Sequence, residues 1–250
     1  MSGAVEEAPD VLRVATHPEP TMTFRLCIIN PNCDETVTDH LRTRAADVLP
    51  AGSHVEAFTC FDSPPVIETA EESAAAAVSV LRMAREAEEP DAYFIGCFGS
   101  PGLEKLRAET GLPVVGLGDA ALLQASYLTR RFGLVTTLEC GIAGLWDQVG
   151  GSGLAGRCVG IEAANSGLAG DGTGNDADAG SEDGLLERLE RAGRRLVEQG
   201  ADGLVTACAT FSPEAARLSA ALGVAVCDGV GLGPALARSL WATATLRPAH

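Results

Sequence analysis

Two similar segments, one in each half of the chain, constrain its fold most strongly. Residues 91–97 read DAYFIGC and residues 202–208 read DGLVTAC, so each segment places a cysteine after an aspartate and five further residues. A Ser-Pro pair follows both cysteines, and another apolar segment begins sixteen residues after each of them, at Pro113 and at Val224. Because there are only two copies, the repeat indicates a duplicated domain rather than a repetitive array.

Short apolar segments alternate with longer helical patterns from Phe24 onward. The predicted strands read FRLCIIN, HVEAFTCF, AYFIGC, PVVGL, FGLVTT, CVGIEA, GLVTAC and VAVCD. Helices are predicted over residues 34–48, 68–88, 120–129, 182–199 and 213–222. Apolar strands separated by helices are typical of parallel sheets covered on both faces. The predicted fold class is therefore α/β, with two similar parallel-sheet domains related by a pseudo-twofold axis.

The predicted domain boundaries follow the repeat. Residues 1–22 are rich in acids and proline, lack the pattern of a secretory signal, and are predicted to form a disordered tail. Residues 23–117 form the first domain, against which a C-terminal helix at 230–245 is expected to pack. Residues 118–229 form the second domain. It includes an acidic, glycine-rich insertion at 165–184 that is too polar to bury.

The chain is strongly acidic. Its 250 residues carry a formal net charge of −16, with 34 acidic and 18 basic residues, and Lys105 is its single lysine. Such a charge argues against nucleic acid and anionic membranes as partners, and no apolar stretch is long enough to cross a bilayer. An acid-rich, lysine-poor composition favours a protein adapted to concentrated salt over an ordinary acidic cytosolic protein.

The eight cysteines do not form a metal-binding or redox pattern. No CxxC, CxxH or HxxxH pair occurs, so neither zinc nor any other metal is expected. A chain of this size does not need disulfides, and a reducing cytoplasm is the simplest location. Five cysteines in or beside apolar stretches are predicted to be buried core residues: Cys27, Cys60, Cys140, Cys158 and Cys227.

Cys97 and Cys208 have a different expected role. Ligands of parallel α/β sheets bind beyond the carboxyl ends of the strands, so two domains facing each other would place these cysteines on opposite walls of one cleft. One thiolate could then remove a proton from a carbon while the opposite thiol returns one. A helix start after each cysteine is expected to favour the thiolate. Burial in the core is the competing interpretation of either cysteine alone.

Six short motifs, in this order, resemble one enzyme family: INPN at 29–32, CFGSPGL at 97–103, PVVGLGDAA at 113–121, RFGLVTT at 131–137, GADGLVTACA at 200–209 and CDGV at 227–230. Over residues 24–245 the chain resembles the Asp/Glu/hydantoin racemase superfamily, and within it the hydantoin and allantoin racemases. The resemblance implies a cofactor-independent racemase that acts on a small molecule, self-associates, and uses Cys97 and Cys208 as its acid/base pair.

The resemblance also implies a set of substrate contacts. Asn30, Thr136 and Thr137 would hold the polar edge of the substrate, although Asn30 could instead be a turn residue and the threonines strand-end caps. Ile67 would line the pocket. Backbone amides would stabilise the enolate that forms when a proton beside a carbonyl is removed; they belong to Phe98, Gly99, Ser100, Ala209 and Thr210.

Several residues depart from the family pattern and leave the substrate open. Ser100 stands where hydantoin racemases usually carry aspartate, Cys33 where threonine or serine is common, and SPPVIE and CATF differ from the usual motifs. A 5-substituted hydantoin, allantoin, or an amino acid such as aspartate or glutamate would each fit. A related decarboxylase typically keeps one cysteine, so two cysteines argue against it. Outside racemases, a two-lobed binding protein remains open, and a thiol redox protein is disfavoured by the lack of CxxC.

Overall fold

The computed structural model describes residues 23–164 and 182–245. The predicted tail and most of the predicted glycine-rich insertion lie outside the described residues. Two four-stranded parallel sheets form the framework, and all eight predicted strands are present. The predicted fold class, α/β with two similar parallel sheets, is confirmed.

The first half of the chain builds one sheet and its helices. In chain order its elements are β1 (Arg25–Asn30), α1 (Glu35–Val48), β2 (His54–Thr59), α2 (Ala70–Glu86), β3 (Ala92–Ile95), α3 (Leu103–Thr110) and β4 (Val114–Gly116). The Asp34 carboxylate caps α1 by accepting from the Thr36 amide, and Thr69 and Glu72 form a capping box at the start of α2.

The second half repeats this plan. Its elements are α4 (Leu117–Leu128), β5 (Phe132–Thr136), α5 (Ile142–Gly151), β6 (Cys158–Ala163), α6 (Glu182–Glu198), β7 (Gly203–Thr206), α7 (Ala215–Leu222), β8 (Ala225–Cys227) and α8 (Leu232–Thr245). A 3₁₀ helix, Ala209–Glu214, separates β7 from α7. A helix start is expected after Cys97, but no range is predicted for α3. Helix α5 is not predicted, and α7 begins two residues later than predicted.

The strand order shows the duplication directly. The first sheet has the order β2-β1-β3-β4, and the second has the matching order β6-β5-β7-β8. In the first sheet Leu26 pairs with Ala92, and in the second Phe132 pairs with Gly203. Cys97 therefore follows Ala92 by the same five residues that separate Cys208 from Gly203. Thr136 likewise occupies the position in β5 that Asn30 occupies in β1.

The repeated aspartates hold the amino ends of these central strands together. The Asp91 carboxylate accepts from the Arg25 amide at 2.8 Å, and the Asp202 carboxylate accepts from the Arg131 amide at 2.9 Å. The backbone amide of each aspartate also donates to the same arginine. The Asp91 amide donates to the Arg25 carbonyl at 2.8 Å, and the Asp202 amide donates to the Arg131 carbonyl at 2.9 Å. The aspartate of the repeat is thus structural, and it lies at the end of its strand remote from the cysteine.

The C-terminal helix α8 packs on the first sheet. The Trp241 ring contacts the Phe24 ring with a centroid separation of 5.2 Å. Gly233 lies against the Phe94 ring so closely that a methyl group on it would come within 2.2 Å of a ring carbon. Helix α8 and α4 also contact each other, so the last and the middle helix join the two halves. In the described part of the chain no helix is long and apolar enough to span a membrane.

Candidate active site

A cavity of about 890 Å³ lies where the carboxyl ends of strands from the two sheets converge. Its walls include the segments after β3 and β7, the end of β5, the loop before α2, and α5. Its volume is within the range of pockets that enclose small-molecule ligands. Both halves of the chain therefore contribute to one cavity.

Cys97 and Cys208 both line this cavity and are both half-buried. The sheet pairing continues up to each of them, with the Gly96 amide 2.9 Å from the Ile29 carbonyl and the Ala207 amide 2.8 Å from the Val135 carbonyl. The backbone just before each cysteine is thus fixed by a neighbouring strand. The structure brings together the two cysteines that the repeat singled out.

Both thiols have raised pKa values, contrary to the expectation that helix starts would favour thiolates. Burial raises the pKa of Cys97 to about 12 and also raises that of Cys208. Nearby backbone amides do lower the thiol pKa values, as expected. The amides of Gly99 and Ser100 act on Cys97, and those of Thr210 and Phe211 act on Cys208. Loss of hydration outweighs these hydrogen bonds. Moreover, α3 begins only at Leu103, and Cys208 precedes a 3₁₀ helix instead of an α-helix.

The loop after Cys97 is held in an unusual conformation. Ser100 has a positive φ of 47°, in the left-handed region, and its hydroxyl donates to the Cys97 carbonyl at 3.0 Å. A methyl group on Gly116 would lie 2.1 Å from the Ser100 hydroxyl oxygen, so only glycine fits there. From the second half, the Gln148 amide donates to the Phe98 carbonyl at 2.7 Å. These bonds fix the loop that carries the Gly99 and Ser100 amides toward the thiol.

Glu68 is a site residue that sequence reasoning missed. It lies in the loop before α2 and lines the cavity, and one of its carboxyl oxygens accepts from the hydroxyl of Thr137, the residue directly after β5. Burial, and secondarily the charge of Glu72, raises the pKa of Glu68 to about 7. Glu68 in turn raises the pKa of both Cys97 and Cys208. The sequence signal for Glu68 was its place in the segment SPPVIE, which corresponds to a family motif. The motif alone does not show which side chain Glu68 contacts.

The other predicted site residues divide into two groups. Those that line the cavity are Ile67, Phe98, Gly99, Ser100, Thr136, Thr137 and Ala209. Asn30 and Thr210 are not among the lining residues. The fully buried Asn30 amide donates to Asn32 at 2.8 Å and to the Asp34 carbonyl at 2.9 Å, so it organises its own loop. The Thr210 hydroxyl hydrogen-bonds to the Cys208 thiol.

Two further results concern the remaining cysteines and metals. Cys27, Cys60 and Cys227 are buried, as predicted, and Cys158 is only partly so. Cys140 is exposed and lines the cavity, because it lies in a short 3₁₀ turn instead of a strand; the prediction of burial was wrong there. Within residues 23–164 and 182–245, no cluster of three or more histidine, cysteine or acidic side chains is arranged to hold a metal ion.

The charges around the cavity are mostly negative. Four acidic residues line it: Glu68, Glu104, Asp119 and Asp147. Lys105 is its single basic lining residue among those described, and its amine lies 3.9 Å from Glu109. Arg107 pairs with Glu104 and Asp119 at 2.8 and 3.2 Å. In the described residues no cation forms an ion pair with Glu68.

One family recurs in comparisons with known proteins. A family model for Asp/Glu/hydantoin racemases matches residues 26–237. The hydantoin racemase of Paenarthrobacter aurescens is 33% identical over 221 residues, which cover 87% of this chain and 91% of that protein. The hydantoin racemase of Rhizobium meliloti is 33% identical over 215 residues, covering 85% and 87%. An allantoin racemase structure from Klebsiella pneumoniae superposes with a TM-score of 0.76 at 29% identity, covering 89% of each chain.

Proposed function

The chain belongs to the Asp/Glu/hydantoin racemase family, and on that premise we propose that it racemises 5-substituted hydantoins with Cys97 and Cys208 as an acid/base pair. One observation supports this most strongly: the two cysteines follow equivalent strands of the duplicated fold and line the same cavity. A duplicated fold could keep any small residue at these positions for packing, but packing does not require a thiol in both copies.

The proposed reaction removes one proton from the chiral carbon of the substrate and adds another to the opposite face of that carbon. A thiolate on one wall takes the proton from the ring carbon beside the carbonyl, and the electron pair of that C–H bond passes into an enolate. The thiol on the opposite wall then gives its proton to the other face of the same carbon. The enzyme ends with the proton on the first cysteine and the thiolate on the second, ready for the reverse reaction.

The raised thiol pKa values suit this chemistry. A carbon acid beside a carbonyl is much weaker than an ordinary thiol, so a thiolate with a raised pKa is a better-matched base. The amides directed at each sulfur limit the penalty of forming the thiolate in a dry site. We expect Thr136, which lies at the end of β5 and is almost fully buried, to contact a substrate carbonyl or N–H group.

The charge around the cavity favours a neutral ring over an acidic amino acid. Aspartate and glutamate would bring an additional carboxylate next to Glu68, and among the described lining residues Lys105 alone is cationic. Hydantoins are neutral and present N–H and carbonyl groups instead. Allantoin, which carries a polar ureide arm on the same ring, is the second candidate substrate. The structural likeness to an allantoin racemase favours it specifically.

A racemisation assay in D2O tests the proposal. One pure enantiomer of 5-benzylhydantoin should lose its optical rotation while deuterium replaces the proton at C5, faster than with a control in which both cysteines are alanine. Allantoin, L-aspartate and L-glutamate are assayed in parallel. A protein that binds the hydantoin but does not accelerate exchange would be a two-lobed binding protein, and preferential turnover of aspartate or glutamate would make it an amino-acid racemase.

A further inference from the structure

The Glu68 carboxyl group lies between the two halves of the molecule. Its residue belongs to the first half, where the Glu68 amide donates to the Glu72 carboxylate at 2.9 Å. Its side chain reaches the second half, where it accepts from the Thr137 hydroxyl. A methyl group on Gly141 would lie 2.2 Å from its other carboxyl oxygen. One carboxyl oxygen is therefore hydrogen-bonded, and the other lies close to the Gly141 backbone.

The surroundings of Glu68 are unusual for a carboxylate. Its neighbours in the cavity wall are two thiols, a threonine hydroxyl and a glycine, and it lacks an ion-pair partner among the described residues. Glu68 lines the same cavity as Cys97 and Cys208 and raises the pKa of both thiols, so a substrate held between the thiols in the proposed reaction would lie near its carboxyl group. A half-buried carboxyl group with one protein donor retains accepting capacity for a ligand.

We propose that Glu68 determines substrate specificity by accepting an N–H of the ring and by repelling substrates that carry a carboxylate. The inference rests on the proposed racemase function and deepens it. A neutral cyclic ureide supplies N–H donors that a carboxylate can receive. When Glu68 is ionised, as it mostly is above its raised pKa of about 7, a substrate carboxylate would instead be placed beside a like charge in a site with little water to screen it. Specificity thus combines an attraction to one class of ligand with a repulsion of another.

The test uses two ligands of nearly identical shape, hydantoin-5-acetamide and hydantoin-5-acetate, which differ in charge. Wild-type protein should prefer the acetamide, and Glu68→Gln should shift the ratio of kcat/KM toward the acetate by about tenfold or more. Glu71→Gln is the matched control, because it removes the same charge from an exposed position in the first turn of α2 that does not line the cavity. The control should leave the ratio unchanged.

A purely structural role for Glu68 predicts a different result. If Glu68 only joins the two halves through Thr137, Glu68→Gln should lower kcat/KM for both ligands by the same factor, and an unchanged ratio would overturn the proposal. Calorimetric binding of the same two ligands gives the same comparison without turnover. Preferential binding of the acetamide without racemisation would therefore contradict the racemase function while supporting the selectivity.

Wild-type protein provides a second measurement that does not depend on a variant. The N1-methyl and N3-methyl derivatives of 5-benzylhydantoin each lack one N–H donor. Methylation of the nitrogen that meets Glu68 should lower wild-type kcat/KM at least about tenfold, because a half-buried acceptor is left without its ligand donor. Glu68→Gln should lose less than the wild type from the same methylation. Equal turnover of both derivatives and the parent by the wild type would contradict the proposed contact.

Discussion

At the scale of single residues, burial decides the chemistry of the two cysteines. The amides near each sulfur lower its pKa, but loss of hydration raises it more. In the free protein both thiols are therefore protonated at neutral pH. In the proposed mechanism, a substrate is processed by the small fraction of molecules in which one thiol has ionised. This fraction grows as the pH rises.

The pH dependence of turnover follows from these raised pKa values. Between pH 6 and 8, kcat/KM for a 5-substituted hydantoin should rise about tenfold per pH unit, because this parameter follows the free enzyme and its thiolate fraction. The pKa of Glu68, raised to about 7, also lies in this range. Because we attribute the slope to the thiols and not to Glu68, the slope should persist in Glu68→Gln. A plateau reached below pH 7 in both proteins would show that the pKa of at least one thiol is lowered, contrary to this account.

The sequence predicts the two cysteines but not Glu68, and the reason lies in the duplication. Cys97 and Cys208 recur at matched positions of the two copies, so each supports the interpretation of the other. Glu68 lacks such a counterpart, and its partner Thr137 is 69 residues away in the chain. The sign of the thiol pKa shifts was also beyond prediction, because it depends on how completely the folded protein excludes water.

At the scale of secondary-structure elements, a hydrogen-bonded chain joins α1 to the segment that follows Cys208. His40 Nε2 on α1 lies 3.1 Å from the Ser212 hydroxyl oxygen, and Ser212 donates to the Asp228 carboxylate beyond β8. Because the Ser212 proton points to Asp228, His40 must donate through Nε2. Ser212 lies in the 3₁₀ helix that begins directly after Cys208, so these hydrogen bonds help to position that cysteine.

The His40 contact should make stability depend on pH. Burial lowers the pKa of His40 below its usual value; the charge of Arg44 acts in the same direction, and that of Asp228 opposes it. The folded protein then resists protonation more than the unfolded chain does, so stability should fall as the pH drops below about 6.5. His40→Gln keeps a donor to Ser212 without titrating. Chemical denaturation from pH 7.5 to 5.5 should show a smaller loss in this variant, and equal losses would contradict this account.

Prediction of the elements succeeds where the pattern is strong and fails where helices are short or rich in glycine. All eight strands follow from their apolar character. Helix α3 has eight residues, of which only Leu103 and Leu106 are buried, so its periodicity is weak. Helix α5 contains Gly144, Gly150 and Gly151, and glycine has a low helix propensity. Tertiary contacts such as that between Gln148 and Phe98 help to stabilise α5.

At the scale of the whole molecule, net charge opposes compactness. The chain carries a formal charge of −16, whereas the ion pairs of its described residues join largely exposed side chains, such as Arg42 with Asp39, and contribute little. Added salt should therefore screen more repulsion than attraction. The melting temperature should rise from low to molar potassium chloride. A melting temperature that stays level or falls would argue against adaptation to salt.

The duplicated architecture makes a stereochemical prediction about the two thiols. If Cys97 and Cys208 act on opposite faces of one carbon, each is the base for one enantiomer and the acid for the other. Replacing either with alanine should abolish racemisation, because a full turnover needs both a base and an acid. The remaining thiolate can still remove the proton that faces it. Without an opposite donor, the carbanion then regains a proton or deuteron from the same side.

Proton NMR of each pure enantiomer of 5-benzylhydantoin in D2O, with Cys97→Ala and with Cys208→Ala, tests this two-face arrangement most directly. Exchange is expected to be slow, because a lone thiol must first trade its proton with solvent. One variant should exchange the C5 proton of one enantiomer without inversion, and the other variant should do so with the opposite enantiomer. Exchange of the same enantiomer by both variants would contradict the arrangement, and undiminished racemisation by either would remove that cysteine from the mechanism.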